Sequence, residues 1–171
     1  MLNTSSEIRL SGIINESIVD GPGFRYVIFT QGCHKRCEGC HNAKTQPLDG
    51  GYLEQVDNVV NDFRKNPIIQ GITISGGEPF LQPKAVLNLI KKAKETNLDV
   101  IVYSGYYYHE LVSFNDNDIN EILKTADYLI DGPFEMKNIS LNVLFRGSTN
   151  QRIINLQETT NLDDLVFVEN F

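Results

Sequence analysis

The sequence has no tryptophan and no long apolar run. Its longest apolar stretches, of which residues 26–29 are typical, are far shorter than the roughly 20 residues that a membrane-spanning helix requires. The N-terminal segment MLNTSSEIRL also lacks the basic residues and the apolar run of a secretory signal. We therefore expect a cytoplasmic protein that does not associate with membranes.

Positive charge is scarce as well. The 15 lysines and arginines are outnumbered by 22 aspartates and glutamates, which gives a formal net charge of −7. Such a surface repels phosphate backbones on average, so we expect no nucleic-acid partner. One small basic patch, formed by His34, Lys35, Arg36 and His41, lies among the cysteines. It is either a solvated loop or a source of positive charge that favours thiolates and hence metal ligation.

What the sequence does contain is a globular composition, with 41% hydrophobic and 22% charged residues in a chain of 171. This balance and length are typical of one folded domain with a substantial core. We predict that this domain spans residues 1–171.

Cysteine is rare, and all three cysteines lie within eight residues, as Cys33, Cys37 and Cys40 in a C-x3-C-x2-C arrangement. An odd number in a cytoplasmic chain argues against a disulfide framework. Three thiolates on one loop can hold three irons of a [4Fe–4S] cluster, and the open fourth iron indicates a catalytic site. The alternative is a non-catalytic interaction module, in which His34 or His41 completes a structural zinc site. Zinc knuckles usually separate two ligand pairs by a longer loop, so the spacing favours the cluster.

Apolar periodicity predicts an alternation of strands and helices. The predicted order is strand 24–31, helix 52–65, strand 68–74, helix 83–96, strand 98–103, helix 118–126 and strand 127–130. This order implies right-handed βαβ units and a parallel sheet in an α/β protein. We expect a functional loop at 134–150, a late strand at 151–157 and a further strand in the tail.

Four predicted strands end in polar or glycine-rich segments: the cysteine loop, SGGEP, YSG and DGPF. Ligands of parallel sheets bind where such loops converge, at the carboxyl ends of the strands. The predicted βα region, about 130 residues, is too short for an eight-stranded barrel, which typically needs about 250. We therefore predict an incomplete, open β/α barrel whose open side admits a large substrate.

The cysteine arrangement after one strand and Gly-Gly-Glu-Pro after the next resemble the radical S-adenosylmethionine superfamily. Further segments resemble the family of activating proteins for anaerobic ribonucleoside-triphosphate reductase. These segments are VDGPGFRYVIFTQGC at 19–33, CHN at 40–42, SGGEPF at 75–80, DGPF at 131–134 and RGSTNQRI at 146–153. They cover most of the chain, and the last two distinguish it from the pyruvate formate-lyase activases.

The resemblance implies an oxidoreductase with two cofactors, a [4Fe–4S] cluster on Cys33, Cys37 and Cys40, and S-adenosylmethionine. The cluster would cleave S-adenosylmethionine reductively to a 5′-deoxyadenosyl radical, which would generate a glycyl radical on the large subunit of the reductase. The resemblance also implies a reduced flavodoxin or ferredoxin-like electron donor, and assembly as a homodimer or as a heterotetramer with the reductase. Another glycyl radical enzyme, such as pyruvate formate-lyase, is the alternative partner.

Eight further residues are candidates for binding S-adenosylmethionine: Gly76, Gly77, Glu78, Pro79, Asn42, Tyr103, Ser104 and Asp131. In the family that this chain resembles, the Gly-Gly-Glu-Pro backbone binds the ammonium of the methionine part, although such a run is otherwise a common turn. Many superfamily members place an aromatic residue against the adenine just before the third cysteine. Gly39 occupies that position here, and Tyr103 is the candidate replacement unless it belongs to the core.

The remaining polar candidates have weaker signals. Asp131 could hydrogen-bond the ribose or the amino group, or simply form the DGP turn. Arg25 and Arg146 are candidates for binding a carboxylate or the partner. The alternative is that they are surface arginines without a specific role. Gln151 and Arg152 are candidates for partner docking.

Overall fold

The computed structural model describes residues 6–169 and 171. Its described residues form a seven-stranded sheet. The strands are β1 (Glu7–Ser17), β2 (Arg25–Thr30), β3 (Tyr52–Gln55), β4 (Gly71–Gly76), β5 (Asp99–Tyr103), β6 (Tyr128–Asp131) and β7 (Arg152–Asn155). They are arranged in the order β3-β1-β2-β4-β5-β6-β7. No described helix is long and apolar enough to cross a membrane.

The centre of the sheet is parallel, as the alternation of strands and helices predicts. β2, β4, β5 and β6 pair in parallel, whereas β1, β3 and β7 are antiparallel to their neighbours. The edge strands β3 and β7 do not pair with each other, so the sheet stays open. This confirms the α/β class and the incomplete barrel.

Helices connect the parallel strands and cover one face of the sheet. They are α1 (Val56–Arg64), α2 (Pro83–Lys94), α3 (Tyr108–Ser113) and α4 (Asn117–Thr125). The predicted apolar stripe of α1, with Val56, Val59, Val60 and Phe63, is fully buried. The stripes of α2 and α4 join the same core, which also contains Ile72, Val100 and Leu129 of the strands. Burial of these apolar faces stabilises the helices, because helices of this length are marginal alone.

Strand pleating directs alternate side chains to the opposite face of the sheet. Ile101, Ile130 and Ile153 form a second, smaller apolar cluster there, with Tyr103 packed against it. Arg25 also lies on this side, where its guanidinium bonds to Thr73 Oγ1 (3.0 Å), Ile72 O (2.6 Å) and the Asp99 carboxylate. The interpretation of Arg25 as a surface arginine is therefore wrong, because its side chain is fully buried.

Several elements differ from the sequence prediction. β1 was not predicted, and the first four residues of the helix predicted at 52–65 form β3 instead. The short helix α3 was not predicted, and Ser75 and Gly76 belong to β4 rather than to the turn after it. In the described part of the tail, a single bridge between Ile154 and Phe167 replaces the expected strand.

Candidate active site

A cavity of about 420 Å³ lies at the carboxyl ends of the parallel strands. All four predicted segments contribute to its wall, since Cys33 follows β2, Gly77 follows β4, Ser104 follows β5 and Gly132 follows β6. Phe29, Ser75 and Tyr103 project into it from β2, β4 and β5. The volume is within the range of small-molecule sites. The four segments therefore converge on one cavity, as expected from the strand order.

The cysteine loop forms one wall of the cavity. Cys33, Cys37 and Cys40 all line it, are half-buried, and form no disulfide. The loop is fixed at its start, where Cys33 N donates to Gln46 O at 3.0 Å and Gly32 N donates to Thr45 O at 2.7 Å. Asn42, the other candidate in this segment, also lines the cavity, and its carbonyl accepts from Thr45. The loop therefore contributes three free cysteines to the wall of one cavity.

This donor set fits a [4Fe–4S] cluster better than a zinc ion. Within residues 6–169 and 171, no group of three or more His, Cys, Asp or Glu is arranged to hold a single metal ion. A tetrahedral zinc ion brings its ligand atoms within about 4 Å of one another, whereas a cluster takes each thiolate on a different iron. His41, one of the two histidines considered as a fourth zinc ligand, packs its ring on Phe134, with 4.7 Å between the ring centres.

The basic patch consists of exposed residues and one lysine that turns inward. Burial raises the pKa of the Cys33 thiol, and the backbone N–H groups of Lys35 and Arg36 only partly oppose this shift. The Lys35 side chain turns inward, where its ammonium lies 4.2 Å from the ring centre of Tyr106 and 3.5 Å from Glu110 Oε1. Lys35 therefore attaches the cysteine loop to the segment after β5, while His34 and Arg36 remain exposed.

Gly76 and Gly77 pack directly against the cysteine loop. Gly77 N donates to Thr30 O at 2.8 Å, and Glu78 N donates to Gly32 O at 2.7 Å. A Cβ on Gly77 would overlap the carbonyl oxygen of Gly32, and Gly76 has a φ of +103° that favours glycine. Both glycines line the cavity. Both glycines are required for this close contact between two backbone segments. The sequence interpretation explained them only by the approach of a ligand.

Glu78 and Pro79 lie behind the cavity wall rather than in it. The Glu78 carboxylate is fully buried and accepts hydrogen bonds from Phe80 N, Ser104 Oγ and Gly105 N. Burial raises its pKa to about 7, although these three hydrogen bonds oppose the shift. Pro79 is buried and begins a short 3-10 helix, Pro79–Leu81. Neither side chain is among those that line the cavity.

Asp131 is also fully buried and does not line the cavity. Its carboxylate accepts from Tyr108 N at 2.7 Å and from the Arg152 guanidinium at 2.5 and 2.9 Å. These bonds hold the start of α3 and β7 to the end of β6. Arg152, a candidate for partner docking, therefore has an internal partner.

Tyr103 lines the cavity, and its hydroxyl donates to Phe145 O at 2.6 Å. The side chains nearest to Gly39 come from the segment after β6, because a Cβ on Gly39 would meet Met136 and the aromatic ring of Phe134. Gln151 lines the cavity and binds the backbone of Gly147 and Gly132. Three residues that line the cavity, Asp20, Phe134 and Phe145, were not identified from the sequence, although the first two lie in the segments DGPG and DGPF.

Comparison with known proteins identifies relatives that cover most of the chain. The family described as 4Fe-4S single cluster domain matches residues 19–154. The anaerobic ribonucleoside-triphosphate reductase-activating protein of Enterobacteria phage T4 is 36% identical over 141 residues, which are 79% of this chain and 86% of the phage protein. The protein of the same name from Escherichia coli K12 is 32% identical over 151 residues, 82% of this chain and 94% of its own length.

A pyruvate formate-lyase-activating enzyme from Clostridium pasteurianum is also similar. It is 35% identical over 128 residues, which are 71% of this chain but only 50% of that enzyme. The matches to the reductase-activating proteins thus extend over nearly the full length of the relatives, whereas this match covers half.

Proposed function

Because this chain belongs to the 4Fe-4S single cluster domain family, with the anaerobic ribonucleoside-triphosphate reductase-activating proteins among its relatives, we propose that it activates such a reductase by generating a glycyl radical on it. One observation carries the proposal: three thiols of one loop and the glycine motif after β4 face the same cavity. When bound, the [4Fe–4S] cluster supplies the electron that cleaves S-adenosylmethionine to a 5′-deoxyadenosyl radical.

The residues of this chain hold and orient the reactants. Cys33, Cys37 and Cys40 would each hold one iron through a thiolate. The methionine ammonium can only donate hydrogen bonds, so the carbonyl groups of this motif are the atoms that would accept from it. The backbone N–H groups of Gly77 and Glu78 donate within the protein.

Aromatic side chains cover much of the remaining wall, namely Phe29, Tyr103, Phe134 and Phe145. Such a lining excludes water, which would otherwise screen the charges of the bound ligand and open side reactions. The edge strands β3 and β7 do not pair with each other, and the open sheet would admit a protein segment that carries the target glycine. Asn42 and Ser104 would contribute polar contacts to S-adenosylmethionine.

The electron donor in this proposal is a reduced flavodoxin or ferredoxin-like protein. An acidic donor of this kind would meet the exposed side chains of His34 and Arg36 on the outer surface of the cysteine loop. The proposal includes the large subunit of the reductase as protein substrate, in a homodimer of this chain or a heterotetramer with the reductase.

The test is the glycyl radical itself. Anaerobically reconstituted protein, S-adenosylmethionine, dithionite and the reductase are expected to give a glycyl radical signal in electron paramagnetic resonance. A reductase variant whose target glycine is replaced by alanine serves as the control and should give no signal. A radical on pyruvate formate-lyase and none on the reductase would instead support the second candidate, which the similarity to the clostridial enzyme favours.

A further inference from the structure

Among the residues that the structure describes, no carboxylate forms an ion pair with Arg146, which lines the cavity. The charged side chains of the cavity wall are Asp20, Lys35 and Arg146. Lys35 pairs with Glu110, and the buried or half-buried arginines Arg25 and Arg152 pair with aspartates. In the described part of the chain, Arg146 forms no ion pair. Of the two described cations of the cavity wall, Lys35 has an ion-pair partner and Arg146 has none.

The bonds that Arg146 does make are long. Its Nε, Nη1 and Nη2 lie 3.4, 3.5 and 3.3 Å from the carbonyl oxygens of Leu144, Gln151 and Glu169. Hydrogen bonds of this type are normally 2.7–3.2 Å, and a guanidinium has five N–H donors. The carbonyls thus orient the side chain weakly and leave N–H donors for a ligand.

The backbone around Arg146 is held in a special conformation. Phe145 has a φ of +58°, which is uncommon for a bulky residue, and its carbonyl accepts a hydrogen bond from the half-buried Tyr103 hydroxyl at 2.6 Å. On the other side, Gln151 Oε1 accepts from Gly147 N at 2.8 Å and from Ser148 N at 3.2 Å. Gln151 Nε2 donates to Gly132 O at 3.1 Å, which joins this segment to the end of β6. Strained residues held in this way cluster at functional sites.

The acidic side chain of the cavity wall does not neutralise Arg146. The Asp20 carboxylate accepts from the Ser17 hydroxyl at 2.5 Å, and no ion pair joins it to Arg146. The two charges act in opposite directions on Tyr103, where Asp20 raises the pKa of the hydroxyl and Arg146 lowers it, while burial is the main cause of its raised value. Asp20 is thus bonded within its own segment and forms no ion pair with Arg146.

We propose that Arg146 binds a carboxylate in this cavity, and that Tyr103 and Gln151 are positioning residues for it. A planar guanidinium matches a carboxylate through two parallel N–H···O bonds. Two molecules can supply this group, the amino-acid part of S-adenosylmethionine or an acidic residue of the protein substrate. The inference rests on the proposed function, because that function brings both molecules to this cavity.

The experiment uses the reconstituted holoprotein without reductant, so that no turnover occurs. Binding of S-adenosylmethionine is compared with binding of 5′-methylthioadenosine, which has the nucleoside but no carboxylate, and with binding of the reductase. Arg146→Gln should weaken either S-adenosylmethionine or the reductase by about ten- to a hundredfold and leave 5′-methylthioadenosine unchanged. The affinity of Arg146→Lys should lie between those of wild type and Arg146→Gln, because lysine keeps the charge but lacks the planar geometry.

Lys137→Gln is the matched control, since Lys137 lies in the same segment and its side chain is 80% exposed. A loss for S-adenosylmethionine identifies the cofactor as the source of the carboxylate, and a loss confined to the reductase identifies the protein. Unchanged binding of both, or an equal loss for 5′-methylthioadenosine, would overturn the proposal. Failure of the proposed function would be distinguishable from this outcome, because the wild-type protein would then give no glycyl radical.

Discussion

The carboxylate of Glu78 accepts a hydrogen bond from the backbone N–H of Gly105 at 2.8 Å, which joins the motif after β4 to the loop after β5. The backbone N–H of Glu78 donates in the opposite direction, to Gly32 O at 2.7 Å, one residue before Cys33. Glu78 therefore connects three of the loops that surround the cavity. Its side chain supports the site without lining it.

Glu78→Gln is expected to change how stability depends on pH. The Glu78 pKa is about 7 in the folded protein against an ordinary value of 4.5, so the folded state binds more protons than the unfolded chain between these values. Stability then falls as pH rises from about 4.5 to 7, by up to about 3 kcal/mol. The glutamine variant should lack this component in urea denaturation of the reduced apoprotein. An identical slope in both proteins would contradict the shifted pKa.

Gly77→Ala tests the packing of the glycine motif on the cysteine loop. The added Cβ would overlap Gly32 O and lie 2.9 Å from Thr45 O, both of which are backbone atoms of the loop. We expect a loss of about 3 kcal/mol in the free energy of unfolding and poor retention of iron. The reason is that the overlapped atoms belong to the backbone, which cannot move aside as a flexible side chain can.

Gly12→Ala is the matched control, because nothing lies within 4 Å of a Cβ at that position. This variant should be neutral or slightly stabilising, since alanine reduces the entropy of the unfolded chain. Equal behaviour of the two variants would show that the close approach at Gly77 is not required.

Arg25→Met should destabilise the fold strongly. It removes the partner of Asp99 and leaves Thr73 and the Ile72 carbonyl without their buried donor. We expect a cost of about 3–5 kcal/mol, against less than about 1 kcal/mol for Arg64→Met, which breaks an exposed pair with Glu95. Thermal and urea unfolding measure the loss of stability in each variant. Similar losses in the two variants would refute the structural role of Arg25.

The sequence predicts the parallel centre and its site well because both have strong local signals. The apolar spacing of α1, α2 and α4 and the turn residues at the strand ends are visible without any tertiary information. β3 was missed because it is a short, mostly exposed edge strand directly before α1, so its residues were merged into the helix. β1 mixes buried and exposed positions around a bulge and has no regular alternation.

The internal partners of charged residues could not be predicted in the same way. Arg25 and Asp99 are 74 positions apart, and Asp131 and Arg152 are 21 apart. Only the register of the sheet brings each pair together, so an arginine that bonds inside the fold looks like a surface residue in the sequence. The clustering of the cysteines, by contrast, is local and was sufficient to locate the site.

Arg36→Glu tests where the electron donor docks. Arg36 is exposed on the cysteine loop, and reversal of its charge should slow reduction by an acidic flavodoxin-like donor several-fold at low salt. Reduction by dithionite should be unaffected, because a small reductant needs no docking surface. Lys84→Glu, an exposed residue of α2, is the control and should behave as wild type. Equal rates with the protein donor in both variants would place the docking surface elsewhere.

The most direct test is formation of 5′-deoxyadenosine by the anaerobically reconstituted protein in the presence of dithionite and S-adenosylmethionine. We expect about four irons per chain and steady production of 5′-deoxyadenosine in wild type. Single Cys33→Ser, Cys37→Ser and Cys40→Ser variants should lose both. A wild-type protein that carries a full cluster yet produces no 5′-deoxyadenosine, or a cysteine variant that still produces it, would contradict the proposed chemistry.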